Sequence, residues 1–144
     1  MKPSQNAINL IKKWEGFRTN AYLCSAGVPT IGFGSTTWGN GQKVKIGEIV
    51  SMKTAEVLLL NDLAKRSKAL EGLNLNQNQF DALLSFIYNV GIGAFNRSQL
   101  KKLIVSNPND EAIREQFMRW KKAGGKVSQG LINRRADEAN LYFK

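Results

Sequence analysis

Between residues 17 and 41 a helical hydrophobic pattern gives way to two short β-prone pieces, AYLC and TIGFG, broken by Gly27, Pro29, Gly32, Gly34 and Gly39. Short alternating segments between turn residues read as a small hairpin or meander, and no other stretch of the 144 residues reads as convincingly as strand. Before it, Ser4 is placed to cap a helix with Ala7, Ile8, Ile11 and Trp14 at helical spacing, and Gly16 stops it. After it, Thr54 opens an amphipathic pattern with Val57, Leu58, Leu60, Leu63, Ala64 and Leu70 on or near one face, ending at Gly72. Asn76 with Gln79 has the form of a capping box ahead of Phe80, Leu83, Leu84 and Ile87. Further helices are expected over 95–105, 110–122 and 130–142. One small sheet followed by helices is an α+β arrangement, mostly helical, and a cleft between the two parts is the natural ligand site.

The longest apolar run, ALLSFIYNVGIGAF (82–95), is interrupted by Asn89 and two glycines and is too short to span a bilayer of roughly 30 Å. The first residues, MKPSQNAINLIKKWEG, have no unbroken apolar core or small-residue cleavage site, so no secretory signal and a cytoplasmic location are expected. The single cysteine, Cys24, excludes an internal disulfide, and the absence of histidine removes the usual zinc constellations. No metal or other cofactor is expected. A formal charge of +10, from 21 Lys and Arg against 11 acids, attracts polyanions: nucleic acid, anionic lipid or anionic wall polymer. Nucleic acid is disfavoured, because no basic recognition helix or aromatic-lined strand is found.

Glu15 is the only acid in the first forty-seven residues, at a helix C-terminus where the macrodipole is negative. Trp14, Phe17 and Tyr22 nearby can strip water from it, a setting that suits a general acid; the plainer alternative is a turn cap or an ion pair with Arg18 or Lys12. Cys24 reads as a small buried hydrophobe, with no histidine to activate it. Thr30 is by default an ordinary strand former, whose hydroxyl holds a water if it faces a cleft.

Taken together, Glu15 and Gly16, Cys24 nine residues after the Glu, and Thr30 six further on inside TIGFG closely resemble the active-site stretch of the phage-type lysozymes. These are endolysins of tailed bacteriophages and prophages. The resemblance continues through FDALLSFIYNVGIGAF (80–95), RWKKAGGKVSQGL (119–131) and INRRADEANLYF (132–143), covering nearly the whole chain in order. It implies a lysozyme-like fold: a small lobe over about 15–55, a connecting helix over about 54–71 and a helical lobe over about 70–144, in one domain.

The resemblance also implies cleavage of the β-1,4 bond between N-acetylmuramic acid and N-acetylglucosamine in peptidoglycan. Glu15 takes the place of the family's general acid and Thr30 that of the residue that helps place the attacking water. Cys24 stands where an Asp is common, which removes the second carboxylate that glycoside hydrolysis commonly uses. A thiol that orients water, rather than a nucleophile, is the favoured role, with inversion at the anomeric carbon. Gly34 falls where the family backbone approaches the sugar, Ser35 where a His is usual, Tyr88 and Asn89 where residues line the glycan cleft, and Arg134 where an Arg lies near the catalytic Glu. A monomer acting on peptidoglycan, drawn to anionic envelope polymers and aided by a separate membrane-permeabilising holin, follows. The rival readings are a cationic membrane disruptor built on a basic amphipathic helix, around 117–122 or at the C-terminus, and a decayed enzyme that keeps the fold.

Overall fold

The computed structural model describes residues 1–144. Its elements are α1 (Gln5–Glu15), β1 (Arg18–Leu23), β2 (Pro29–Gly32), α2 (Met52–Ser67) followed by a 3₁₀ turn (Lys68–Leu70), α3 (Gln77–Val90), α4 (Ile92–Arg97), α5 (Gln99–Ser106), α6 (Ala112–Met118), β3 (Lys122–Ala123), β4 (Lys126–Val127) and α7 (Gln129–Tyr142). The chain is thus α+β and mostly helical, as expected. It divides into two compact units, Ile11–Lys65 and Met1–Leu10 with Arg66–Lys144. No helix is long and apolar enough to cross a membrane.

In the unit Ile11–Lys65, β1 and β2 pair antiparallel, with Tyr22 opposite Thr30 and Leu23 opposite Pro29. Isolated bridges Ile31 to Ser35, Thr37 to Lys43 and Asn20 to Ile49 extend this into a small meander. Gly32 is required where it stands: its φ is +66°, and a Cβ there would lie 2.9 Å from the Ala55 Cβ, so the bare backbone lets β2 approach α2. Helix α2 begins earlier than the sequence suggests, because Ser51 rather than Thr54 caps it: the Thr54 amide donates to Ser51 Oγ at 3.2 Å. Its buried face is Ala55, Leu58, Leu59 and Leu63, whereas Val57 and Leu60, expected inward, are exposed. Three consecutive leucines cannot share one stripe, and Leu59, not among the residues expected inward, is buried in place of Leu60.

The helical unit is built around α3, whose residues from Gln79 to Tyr88 are all buried. The Asn76 capping box forms as the spacing predicts: the Gln79 amide donates to Asn76 Oδ1 at 2.8 Å and the Asn76 amide donates to Gln79 Oε1 at 3.0 Å. Phe86 anchors an aromatic cluster, edge-on to Phe95, Phe117 and Trp120. Two expected helices are differently cut. The 95–105 segment is two helices, because Ser98 ends α4 and caps α5 through the Lys101 amide at 3.1 Å. The 110–122 helix stops at Met118, and Lys122 lies instead in a hairpin in which Ala123 pairs with Lys126 across Gly124 and Gly125. Both glycines have positive φ (57° and 80°), as a two-residue hairpin turn with a right-handed twist demands. Lys121 and Lys122 therefore do not stand on the basic amphipathic helix that a membrane disruptor would use.

Asp81, fully buried, ties the N-terminus of α1 to α3: it accepts from the Ser4 amide at 3.0 Å, from Gln77 Nε2 at 2.9 Å and from the Ser4 hydroxyl. Ser4 Oγ in turn accepts from the Asn6 amide at 3.2 Å, the helix cap read from the sequence. Replacing Asp81 with Ala leaves these donors without their acceptor and should destabilise the protein by about 2–3 kcal/mol. Urea unfolding of the Asp81→Ala protein checks this; a shift below about 0.5 kcal/mol would show that the anchor is dispensable.

Candidate active site

Glu15 is the last residue of α1, half-buried, and Gly16 follows at φ +70° with its amide donating to Lys12 O at 3.0 Å. The turn that frees the chain from the helix therefore falls immediately after the carboxylate. Lys12 Nζ contacts Glu56 Oε1 at 2.6 Å, and the Arg18 guanidinium lies 4.6 Å from the centre of the Tyr22 ring.

The loop joining β1 to β2 shapes the surroundings of Cys24. The Gly27 amide donates to Cys24 O at 2.8 Å and the Cys24 amide to Val28 O at 3.0 Å, with Gly27 at φ +76°, a three-residue hairpin loop closed by a left-handed glycine. This folding aims the backbone N–H groups of Val28 and Ala26 at the Cys24 sulfur, and they draw the thiol below its ordinary range; the Thr30 hydroxyl adds to the effect. Cys24 is half-buried, not the buried hydrophobe expected. The depression comes from amide donors, so a neighbouring cation is not needed for it. A loop with two amides converging on one side chain is also suited to an aspartate.

Thr30 is buried and its Oγ1 donates to Val28 O at 2.9 Å. The same hydroxyl is within reach of the Cys24 sulfur, and its one proton serves one acceptor at a time. Tyr22 pairs across the hairpin with Thr30. Its phenol is pushed up by burial first, then by the negative charge of Glu15, with Arg18 opposing and Cys24 adding. Tyr22, paired with Thr30 and within the fields of both Glu15 and Cys24, thus joins these residues in one electrostatic neighbourhood. Tyr22 was read only as a water-excluding ring, and strand alternation with Cys24 is the signal that places it.

Gly34, at φ +97°, makes the turn between Ile31 and Ser35, whose backbones exchange two hydrogen bonds of 2.8 and 2.9 Å. Ser35 donates its hydroxyl to Asp62 Oδ2 at 3.0 Å. The remaining three residues belong to the helical unit. Tyr88 is buried, with the Arg66 guanidinium 4.8 Å from its ring centre, and Asn89 is exposed and accepts from Arg135 Nη2. Arg134 is no surface ion pair: it is buried, donates from Nε to Glu138 Oε2 at 3.3 Å and from Nη2 to Ser85 O at 3.1 Å. Arg135, Glu138 and Ser85 complete this network, with the Ser85 hydroxyl donating to Glu138 at 2.5 Å. Sequence reading missed these three, although Glu138 stands three and four residues beyond the paired arginines, a spacing that puts them on one helix face.

The profile of the phage lysozyme family matches residues 12–138. The endolysin of Bacillus phage PZA is 43% identical over 147 residues; the alignment takes in 99% of this chain and 55% of that protein, so the chain spans about half the length of this relative. Among solved structures, the endolysin from Escherichia coli O157:H7 phage FAHEc1 superposes with a TM-score of 0.89 at 36% identity, covering 100% of this chain and 94% of that one. The muramidase domain of SpmX from Asticaccaulis excentricus does so with a TM-score of 0.84 at 31% identity, covering 99% and 98%. A match over most of the chain and a fold shared throughout lead to one assignment: the chain belongs to the phage lysozyme family.

Proposed function

We propose that this protein is a peptidoglycan-cleaving endolysin, a muramidase that hydrolyses the β-1,4 bond between N-acetylmuramic acid and N-acetylglucosamine. The observation that supports it is the convergence of a helix-terminal Glu15 and an amide-lined Cys24 beside Thr30. Glu15 donates its proton to the glycosidic oxygen as the C1–O bond breaks, so the leaving sugar departs as an alcohol. A water held by Cys24 and Thr30 attacks C1 from the opposite face and releases its proton to solvent. A sulfur drawn toward thiolate by N–H donors is a better acceptor for that water than an ordinary thiol. Gly34, Tyr88 and Asn89 contact the glycan. The excess of basic residues draws the protein to anionic envelope polymers, and host lysis from the cytoplasm uses a separate membrane-permeabilising protein.

NMR of the first-formed product tests the single displacement: an inverted anomer is expected, and a retained one would make Cys24 the nucleophile. The Cys24→Ser protein should keep activity within about tenfold of wild type, because one net hydrogen bond to water, roughly 1 kcal/mol, is all that changes. A loss as large as that of a Glu15 substitution would overturn the orienting role.

A further inference from the structure

In the unit Ile11–Lys65, a groove of about 360 Å³ lies between the tip of the 37–43 loop and α2; it is lined by Trp38 and Gly39 on the loop and by Leu58, Asn61, Asp62 and Lys65 on the helix. Neither Glu15, Cys24 nor Thr30 lines it. Trp38 is half-buried yet firmly held. Its amide donates to Gln42 O at 2.8 Å, and its indole Nε1 donates to Glu48 Oε1 at 3.1 Å. The same carboxylate oxygen accepts from the Lys45 amide at 2.6 Å. These two donors, the indole first, hold the Glu48 carboxyl below its usual range, so the acceptor that fixes the ring stays ionised. An indole oriented in this way is a rigid apolar plane prepared before any ligand arrives.

Opposite the plane, α2 supplies polar groups of three kinds within two turns: the Asn61 amide, the Asp62 carboxylate, positioned by the Ser35 hydroxyl at 3.0 Å, and the Lys65 ammonium. Gly39 keeps the space open. Its φ is not in the left-handed region, so its backbone does not require glycine, and a Cβ there would lie 3.8 Å from Asn61 Nδ2. A flat apolar wall facing amide, carboxylate and ammonium matches a pyranose, whose C–H face is apolar and whose rim carries hydroxyls that both donate and accept. Asn61 further suits an acetamido group, which also has one donor and one acceptor.

We propose that this groove is a second saccharide site, taking one N-acetylhexosamine ring of a glycan strand on the Trp38 indole with Asn61, Asp62 and Lys65 along its rim. The proposal rests on the reading of the protein as a glycan hydrolase and adds a hold on the polymer separate from the residues that break the bond. The first test is NMR titration of ¹⁵N-labelled Glu15→Gln protein with chitotetraose, which follows the Trp38 indole N–H and the Asn61 side-chain amide. Both resonances should move and saturate together. Separately, Trp38→Leu and Asn61→Ala should each raise the half-saturating concentration of insoluble sacculi about fivefold or more, the effect of losing an anchoring contact. Asn61 is exposed on a helix, so its replacement by Ala reads binding without disturbing the fold. Stationary Trp38 and Asn61 resonances at millimolar sugar, or wild-type sacculus binding in both variants, would overturn the site. Saturating shifts in a protein whose wild type releases no reducing ends would keep the site and remove the hydrolase reading instead.

Discussion

Glu15→Gln should reduce the release of reducing ends from purified peptidoglycan by about 10²–10⁴-fold, while the protein stays folded. Gln keeps the size and the hydrogen-bonding of the side chain but has no proton to give to the leaving oxygen. The residue ends α1 and Gly16 completes the turn, so its removal from the acid role leaves the helix and its C-terminal hydrogen bond in place. With no second carboxylate at the hairpin, no neighbouring Asp or Glu from β1 or β2 can take over the proton. The assay is run at low salt, because a charge of +10 makes attachment to anionic sacculi salt-sensitive. Residual activity within tenfold of wild type would remove Glu15 from the acid role. If wild type itself released no reducing ends, the muramidase reading would fail and only the fold assignment would stand.

The second large effect is on stability. Glu138→Gln should cost about 3–5 kcal/mol in urea unfolding, because it removes one partner of a fully buried ion pair. Glu138 and Arg135 side chains are both 0% exposed and Arg134 is 4% exposed, so the guanidinium left behind has no water to turn to. Burial pushes the Glu138 carboxyl up and the Arg135 guanidinium down, and each is pulled back by the charge of the other. The Lys12–Glu56 pair is the control. Its side chains are 27% and 44% exposed, and Glu56→Gln should change stability by no more than about 1 kcal/mol despite a shorter contact than that of Arg134 with Glu138. Similar losses in the two variants would contradict the argument that burial, rather than proximity, sets the magnitude.

The α+β class, the Asn76 capping box and the end of α1 at Glu15 were legible in the amino-acid order, because each depends on contacts within a few residues or on a local period; the grouping of Glu15, Cys24 and Thr30 came from the family resemblance alone. The β3–β4 hairpin was missed although its Gly124-Gly125 turn is a local signal; the helical spacing of Ile113, Phe117 and Trp120 outweighed it. Leu58, Leu59 and Leu60 are equally apolar, so composition did not single out Leu59 over Leu60; the close approach of Gly32 to Ala55 lies on the face that is buried. The sequence determined which groups are available for chemistry: one early carboxylate, one thiol, no histidine. The tertiary structure decided their state. The amides of Ala26 and Val28 converge on the Cys24 sulfur only when the hairpin closes, and the Asn89 amide and Ser85 hydroxyl of α3, 46 and 53 residues away, meet Arg135 and Glu138 of α7 only when those helices pack. Electric fields and dehydration fall off with distance through space, and distance through space is what folding sets.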